Sequence, residues 1–163
     1  MKRLLVCLST LLLCVFFSGC SAETHEGLVS DTIERIGLAA TEVGNIKSRV
    51  NEAVTKAQAG KKLDLTDAIE ATKKLKDTGD EMQKLKRKIE QVRAQITDEE
   101  KKNNASKNKA RLTAAFSDLL KQKDELRTAL AEAEKLSPSA KTAVKDLRDK
   151  IVEAESPFEA LSR

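Results

Sequence analysis

The side chains capable of covalent or metal chemistry are few here and crowd towards one end. Three cysteines, Cys7, Cys14 and Cys20, fall within the first twenty residues, and the one histidine, His25, follows in Thr24-His25-Glu26. One imidazole beside one carboxylate falls short of the three or four protein ligands that zinc takes. Nor does the spacing assemble a Ser-His-Asp set, since nothing in the sequence places a serine and an acid around His25. The carboxylates gather in runs such as Asp98-Glu99-Glu100 and Glu132-Ala133-Glu134, which in highly charged helical segments form a solvated face. The glycines are isolated and make no phosphate loop. Asn104-Ala105-Ser106 has the form of a glycosylation sequon and is read as coincidental. No catalytic, cofactor or metal site is expected, which leaves the thiol of Cys20 as the one group marked for chemistry.

The setting of that thiol is informative. Met1, Lys2 and Arg3 give a basic start, and Leu4 to Phe17 is a run of 17 − 4 + 1 = 14 uncharged residues. Ser18 and Gly19, both small, then precede Cys20. A basic start, an apolar stretch and small residues at the cut mark an export signal. A permanent membrane-spanning helix needs about 20 apolar residues, so the run is read as a signal and Cys7 and Cys14 as small apolar members of it.

Phe17-Ser18-Gly19-Cys20 resembles the lipobox of bacterial lipoproteins, whose usual form is Leu-Ser/Ala-Gly/Ala-Cys. Ser18, Gly19 and Cys20 match, and Phe17 stands where leucine is usual. The resemblance covers residues 1 to 20. It implies that the Cys20 thiol receives a diacylglyceryl group, that a peptidase cuts before Cys20, and that the new amino group is acylated. Residues 1–19 would then be a cleaved signal, 20–26 a lipidated cysteine and polar tether, and 27–163 a helical, coiled-coil-like domain. Buried methylenes add about 0.8 kcal/mol of membrane affinity each, and stable anchoring takes two chains or more. Palmitate-type chains on Cys20 would hold the protein to a bilayer. Ser21, rather than the aspartate that retains many such proteins at an inner membrane, points to the periplasmic face of an outer membrane where the host has one.

The expected mature chain has 163 − 19 = 144 residues and 28 basic against 26 acidic side chains, a formal charge of +2. That balance gives no argument for nucleic acid, and two phenylalanines with no tyrosine or tryptophan cannot build a base-stacking platform. Alanine, leucine, lysine and acidic residues dominate, a composition suited to long helices packed along narrow seams.

Four segments carry the alternating three- and four-residue apolar spacing of helices packed lengthwise. The first runs Val29, Thr32, Ile36, Ala39, Val43, Ile46, Val50, Ala53 and Ala57, with Ser30 or Asp31 as cap. Gly37 and Gly44 within it mark either close helix approach or a softer helix. Gly60 suits the left-handed position after a helix end, and Asp64 or Thr66 can cap the next helix. The second runs Ala68, Ala71, Leu75, Thr78, Met82, Leu85, Ile89, Val92 and Ile96. The third is out of phase with it: Ala105, Lys109, Leu112, Phe116, Leu119, Lys123, Leu126, Leu130 and Ala133. The break between them is either a capping box at Thr97 and Glu100 or a turn at Asn103-Asn104. Lys109 and Lys123 fall on the seam, where a charge sets register at a cost in stability or its stem snorkels outward. Ser137-Pro138 opens the fourth, with Ala140, Val144, Leu147, Ile151, Ala154, Phe158 and Leu161, and Ser156-Pro157 signals a break. No strand-period segment is present.

The expected fold is therefore all-α: an elongated antiparallel helical bundle or coiled-coil hairpin, with three long helices and a shorter C-terminal one. Glu23-Thr24-His25-Glu26 followed by Asp31-Thr32 resembles small uncharacterised helical lipoproteins of planctomycete bacteria, a likeness that implies no activity. The expected role is a non-catalytic structural or protein-interaction module of the cell envelope. Its partners would be the bilayer through Cys20 and either another protein or itself through helix packing. Leu38, Leu120 and Val152, apolar residues off the main stripes, are the expected contacts. The alternative is a peptidoglycan-associated spacer or chaperone-like periplasmic adaptor. Leu161-Ser162-Arg163 offers no terminal lysine for covalent attachment to the wall.

Overall fold

The computed structural model describes residues 24–159, which form four helices. They are α1 (His25–Gln58), α2 (Thr66–Arg93), α3 (Asp98–Glu134) and α4 (Pro138–Glu159). Cys20 and residues 1–19, the expected signal, lie outside the described residues, as does Leu161. With 34, 28, 37 and 22 residues, three helices are long and the last is shorter. The longest extends about 55 Å at 1.5 Å per residue. The fold is an all-helical bundle.

The ends are fixed by local chemistry. Thr24 caps α1: its hydroxyl accepts from the Gly27 N–H at 3.1 Å. The helix thus starts earlier than Ser30 or Asp31, and His25 and Glu26 belong to its first turn instead of a tether. At the far end Gly60 is left-handed, with φ 87°. Lys61 N–H bonds to Lys56 O and Gly60 N–H to Ala57 O, a Schellman closure. Asp64 accepts from both the backbone N–H and the hydroxyl of Thr66 and orders the entry to α2. Between α2 and α3 the capping box forms: the Thr97 hydroxyl accepts from Glu100 N–H at 3.2 Å while the Glu100 carboxylate accepts from Thr97 N–H at 2.9 Å. Asn103-Asn104 is accordingly helical. Ser137 caps α4 through the Ala140 N–H.

Successive helices run antiparallel, yet the order around the bundle is α1, α2, α4, α3. The α1–α3 interface is the largest and its helices are parallel: Glu26 meets Lys107, Ser30 meets Arg111 and Lys47 meets Glu125. Along α2 and α4, also parallel, Lys76 meets Glu153. Arg35–Glu81 tie the antiparallel α1 and α2, and Arg148–Glu134 the antiparallel α3 and α4. The sequence-adjacent helices α2 and α3 sit diagonally and scarcely touch.

Because α1 faces two helices at once, it buries two columns. The expected stripe from Thr32 to Ala53 is buried, and Leu28, Ala40 and Val54 join it. Leu75, Met82, Val144 and Leu147 complete the centre, each fully shielded. Glycine marks two close approaches. A Cβ on Gly44 would lie 3.2 Å from the Gln122 side chain of α3, and one on Gly79 would lie 3.0 Å from both Ala154 O and Pro157 Cγ of α4. Gly37 has open space around its Cα and is the softer-helix case. The space left by Gly79 also explains why α4 continues through Ser156-Pro157, where a break was expected: the proline ring is buried against α2.

Candidate functional site

The end of the bundle at which α1 begins is the end nearest Cys20 in sequence, and it carries most of the unusual chemistry. Three elements meet there: the first turns of α1, the last turns of α2 and the first turns of α3. Among the described residues the fourth, α4, does not reach it. Its Glu155 pairs with Lys123 of α3, and its Ala154, Pro157 and Phe158 sit over Gly79 of α2, so among the described residues α3 runs on past the last turn of α4.

Across the α1–α3 contact at this end the packing is polar. His25, half-buried, has Nδ1 3.3 Å from Asn104 Nδ2. Asn108, only 1% exposed, donates to Asn104 O at 3.0 Å and accepts from Arg111 Nη1 at 3.3 Å. Arg111 Nη2 in turn donates to the Ser30 hydroxyl at 3.2 Å. A buried amide is tolerated because its donor and acceptor are both engaged. His25 is thus a member of a helix-packing network. Among the described residues no group of three or more His, Cys, Asp or Glu side chains is placed to hold a metal ion.

This polar contact overturns part of the reading of α3. In its first half the expected stripe residues Ala105 and Lys109 are exposed, whereas Leu112 and Phe116 are half-buried and pack against the core together with Ala115, and Asn108 is buried. From Leu119 onward the stripe is buried as expected, through Leu126, Leu130 and Ala133. Lys123, the other seam lysine, finds its partner in Glu155 at 2.8 Å, so it is engaged across the seam, and Lys109 is the one that reaches solvent.

The three apolar residues singled out as contacts are the exposed large hydrophobics among the described residues: Leu38 at 38%, Leu120 at 59% and Val152 at 65%. They sit on different helices and form no joint patch. Leu120 lies in an apolar groove, which it lines with Ala105, Leu112 and Phe116 beside Lys109, Thr113 and Ser117. Sequence reasoning placed Ala105, Lys109, Leu112 and Phe116 on the seam and Leu120 off it; Leu112 and Phe116 do pack against the core, while Ala105 and Lys109 are exposed.

Several surface carboxyls are held below their ordinary values. Glu26 lies below 4.5 through its hydrogen bond to Lys107, Glu125 through Lys47, Glu153 through Lys76 and Glu52 through Lys56. Asp98 lies below 3.8 through Lys101. A carboxyl depressed in the folded state contributes stability that is present above its unfolded value and lost as pH falls through the folded one. Urea-unfolding midpoints followed by circular dichroism should therefore hold steady from neutral pH down to the ordinary glutamate value of 4.5 and fall progressively below it. A midpoint that rises on acidification would contradict these pairings.

Comparison with known proteins returned no matching family, curated protein or solved structure. Among the described residues no helix is long and apolar enough to cross a membrane.

Proposed function

We propose that this protein is a lipid-anchored component of a bacterial cell envelope, and that its helical bundle is a non-catalytic structural or protein-interaction module carried on the membrane by acylated Cys20. The observation that carries the reading is the uncharged run from Leu4 to Phe17 followed at once by Ser18-Gly19-Cys20. The position of the first helix supports it. With α1 opening at His25, residues 21–24 are a spacer reaching at most about 14 Å at 3.3–3.6 Å per residue. A lipid on Cys20 would hold this end of the bundle close to the headgroups and point the α1–α2 and α3–α4 turns away from them. With no membrane-crossing helix among the described residues, attachment rests on acyl chains, two of which suffice for stable anchoring.

A second reading, a peptidoglycan-associated spacer or chaperone-like periplasmic adaptor at the outer membrane, is favoured by one feature: α3 alone, at 37 residues, gives the module a reach of about 55 Å. Co-sedimentation with purified sacculi separates it from the interaction module, which should remain in the supernatant.

The test of the anchor is metabolic labelling of the full chain in a bacterial host with an alkyne-tagged fatty acid, followed by N-terminal analysis and membrane fractionation. The wild type should incorporate label, lack residues 1–19 and partition into detergent. The Cys20→Ala chain should lose all three properties. An unlabelled wild type, or a Cys20→Ala chain that stays equally firmly with membranes, would end the proposal.

A further inference from the structure

Among the described residues the contiguous core takes in α1 only from Ile36 onward. The turns before it, His25 to Arg35, are held differently. Leu28, 1% exposed, is buried outside that core. The other fastenings of this segment are polar and reach its neighbours one side chain at a time: Glu26 to Lys107, Ser30 to Arg111 and Arg35 to Glu81. The two ion pairs lie at the surface, where such pairs hold weakly. Arg111 does most of the fastening, because its guanidinium bonds both Ser30 and the buried Asn108. Without it the Asn108 oxygen would lose its donor, and a buried acceptor left unmet is costly.

Helix α1 is also soft where the core begins. Gly37 follows Ile36 directly and has open space where a Cβ would stand, so packing does not call for glycine there. Glycine is the poorest helix former after proline. The Thr41 hydroxyl bonds back to Gly37 O at 3.1 Å, a contact that loosens and bends helices. If the first turns left, Gly37 would become the cap of the shortened helix, a position that glycine fills far better than alanine. A polar fastening and a soft joint at its base thus coincide.

We propose that residues 25–35 form a strap that comes away from α2 and α3 as a unit, hinged at Gly37, while the core from Ile36 onward stays folded. Sub-global opening of this kind is favoured where few apolar contacts hold a segment. Its use rests on the anchored reading: opening adds 35 − 25 + 1 = 11 residues to the spacer of residues 21–24. The reach from Cys20 then grows from at most about 14 Å to at most about 54 Å, which lets the bundle stand off the headgroups without leaving the membrane.

The test is hydrogen–deuterium exchange, read by mass spectrometry on the full chain as its host produces it. Amides of residues 28–35 should exchange at least tenfold faster than those of residues 43–54 in the same helix. Arg111→Ala should speed the first group at least another tenfold and leave the second unchanged at equal helicity. Gly37→Ala, which meets no clash, should slow the first group about fivefold. Exchange of both groups at one rate, an Arg111→Ala chain in which both quicken alike, or a Gly37→Ala chain unchanged in the first group would overturn the proposal. Fatty-acid labelling of the same preparations reads the anchor separately: a labelled chain whose two groups exchange together sinks the strap alone.

Discussion

Replacing Leu75 by alanine should lower the unfolding free energy by about 2–5 kcal/mol. Leu75 is completely shielded from solvent in the core where α2 is covered by α1 on one side and by α4 on the other. Removing its outer carbons gives up their transfer from water and leaves a cavity that three rigid helices close only in part. Domains of this size are typically stable by about 5–15 kcal/mol, so the loss is a sizeable share, and thermal unfolding followed at the helical circular-dichroism band should drop by roughly 10 °C. Val152→Ala is the control. At 65% exposure it should change stability by no more than about 0.5 kcal/mol. Equal effects at the two sites would mean that the core does not lie where the helices place it.

The Lys123–Glu155 pair should respond asymmetrically. Glu155 is 7% exposed overall, and its carboxylate receives Lys123 Nζ at 2.8 Å, with the lysine side chain 25% exposed. A lysine that loses this contact can swing its ammonium to water along its flexible stem; the short, enclosed glutamate cannot. Lys123→Met should therefore cost about 3 kcal/mol, the lower end of the range for stripping one partner from a buried pair. Glu155→Leu should cost less. The double variant should recover to wild-type stability or pass it by about 1 kcal/mol or more, because an apolar pair carries no desolvation penalty. A double variant worse than either single change would show the pair to be net stabilising here.

Much of the fold was legible because the apolar spacing of α1, α2 and α4 reports a property each helix has by itself: the direction of its dry face. The cap signals were equally local. Thr97 and Glu100 decide the α2–α3 boundary through two reciprocal hydrogen bonds, and Gly60 decides the end of α1 through its backbone conformation. The misread parts depend on neighbours. The stripe through Ala105, Lys109, Leu112 and Phe116 has perfect seam spacing, yet only Leu112 and Phe116 pack against the core, while Ala105 and Lys109 are exposed. Asn108 looks like a surface residue until Arg111, Asn104 and Ser30 converge around it. Ser156-Pro157 reads as a stop, yet Gly79, on a different helix, leaves room for the ring. Of the candidate contacts, exposure of Leu38, Leu120 and Val152 followed from their position off the stripes. Which of them borders a groove did not, since that requires knowing which helix stands beside which.

The circular order α1, α2, α4, α3 has a consequence for how the chain reaches its native state. The bonds between α1 and α3 join residues 75 to 81 apart, and the bond between α2 and α4 joins residues 77 apart. Loops of that length must close before either parallel interface returns any favourable energy. Helical proteins usually assemble fast because their contacts are local. Here a hairpin of α1 and α2 can nucleate early, but it must wait for most of the polypeptide before its widest face is covered. Acquisition of structure should therefore be slow for an all-helical chain, slower than in a bundle of the same length whose large interfaces all join helices adjacent in sequence.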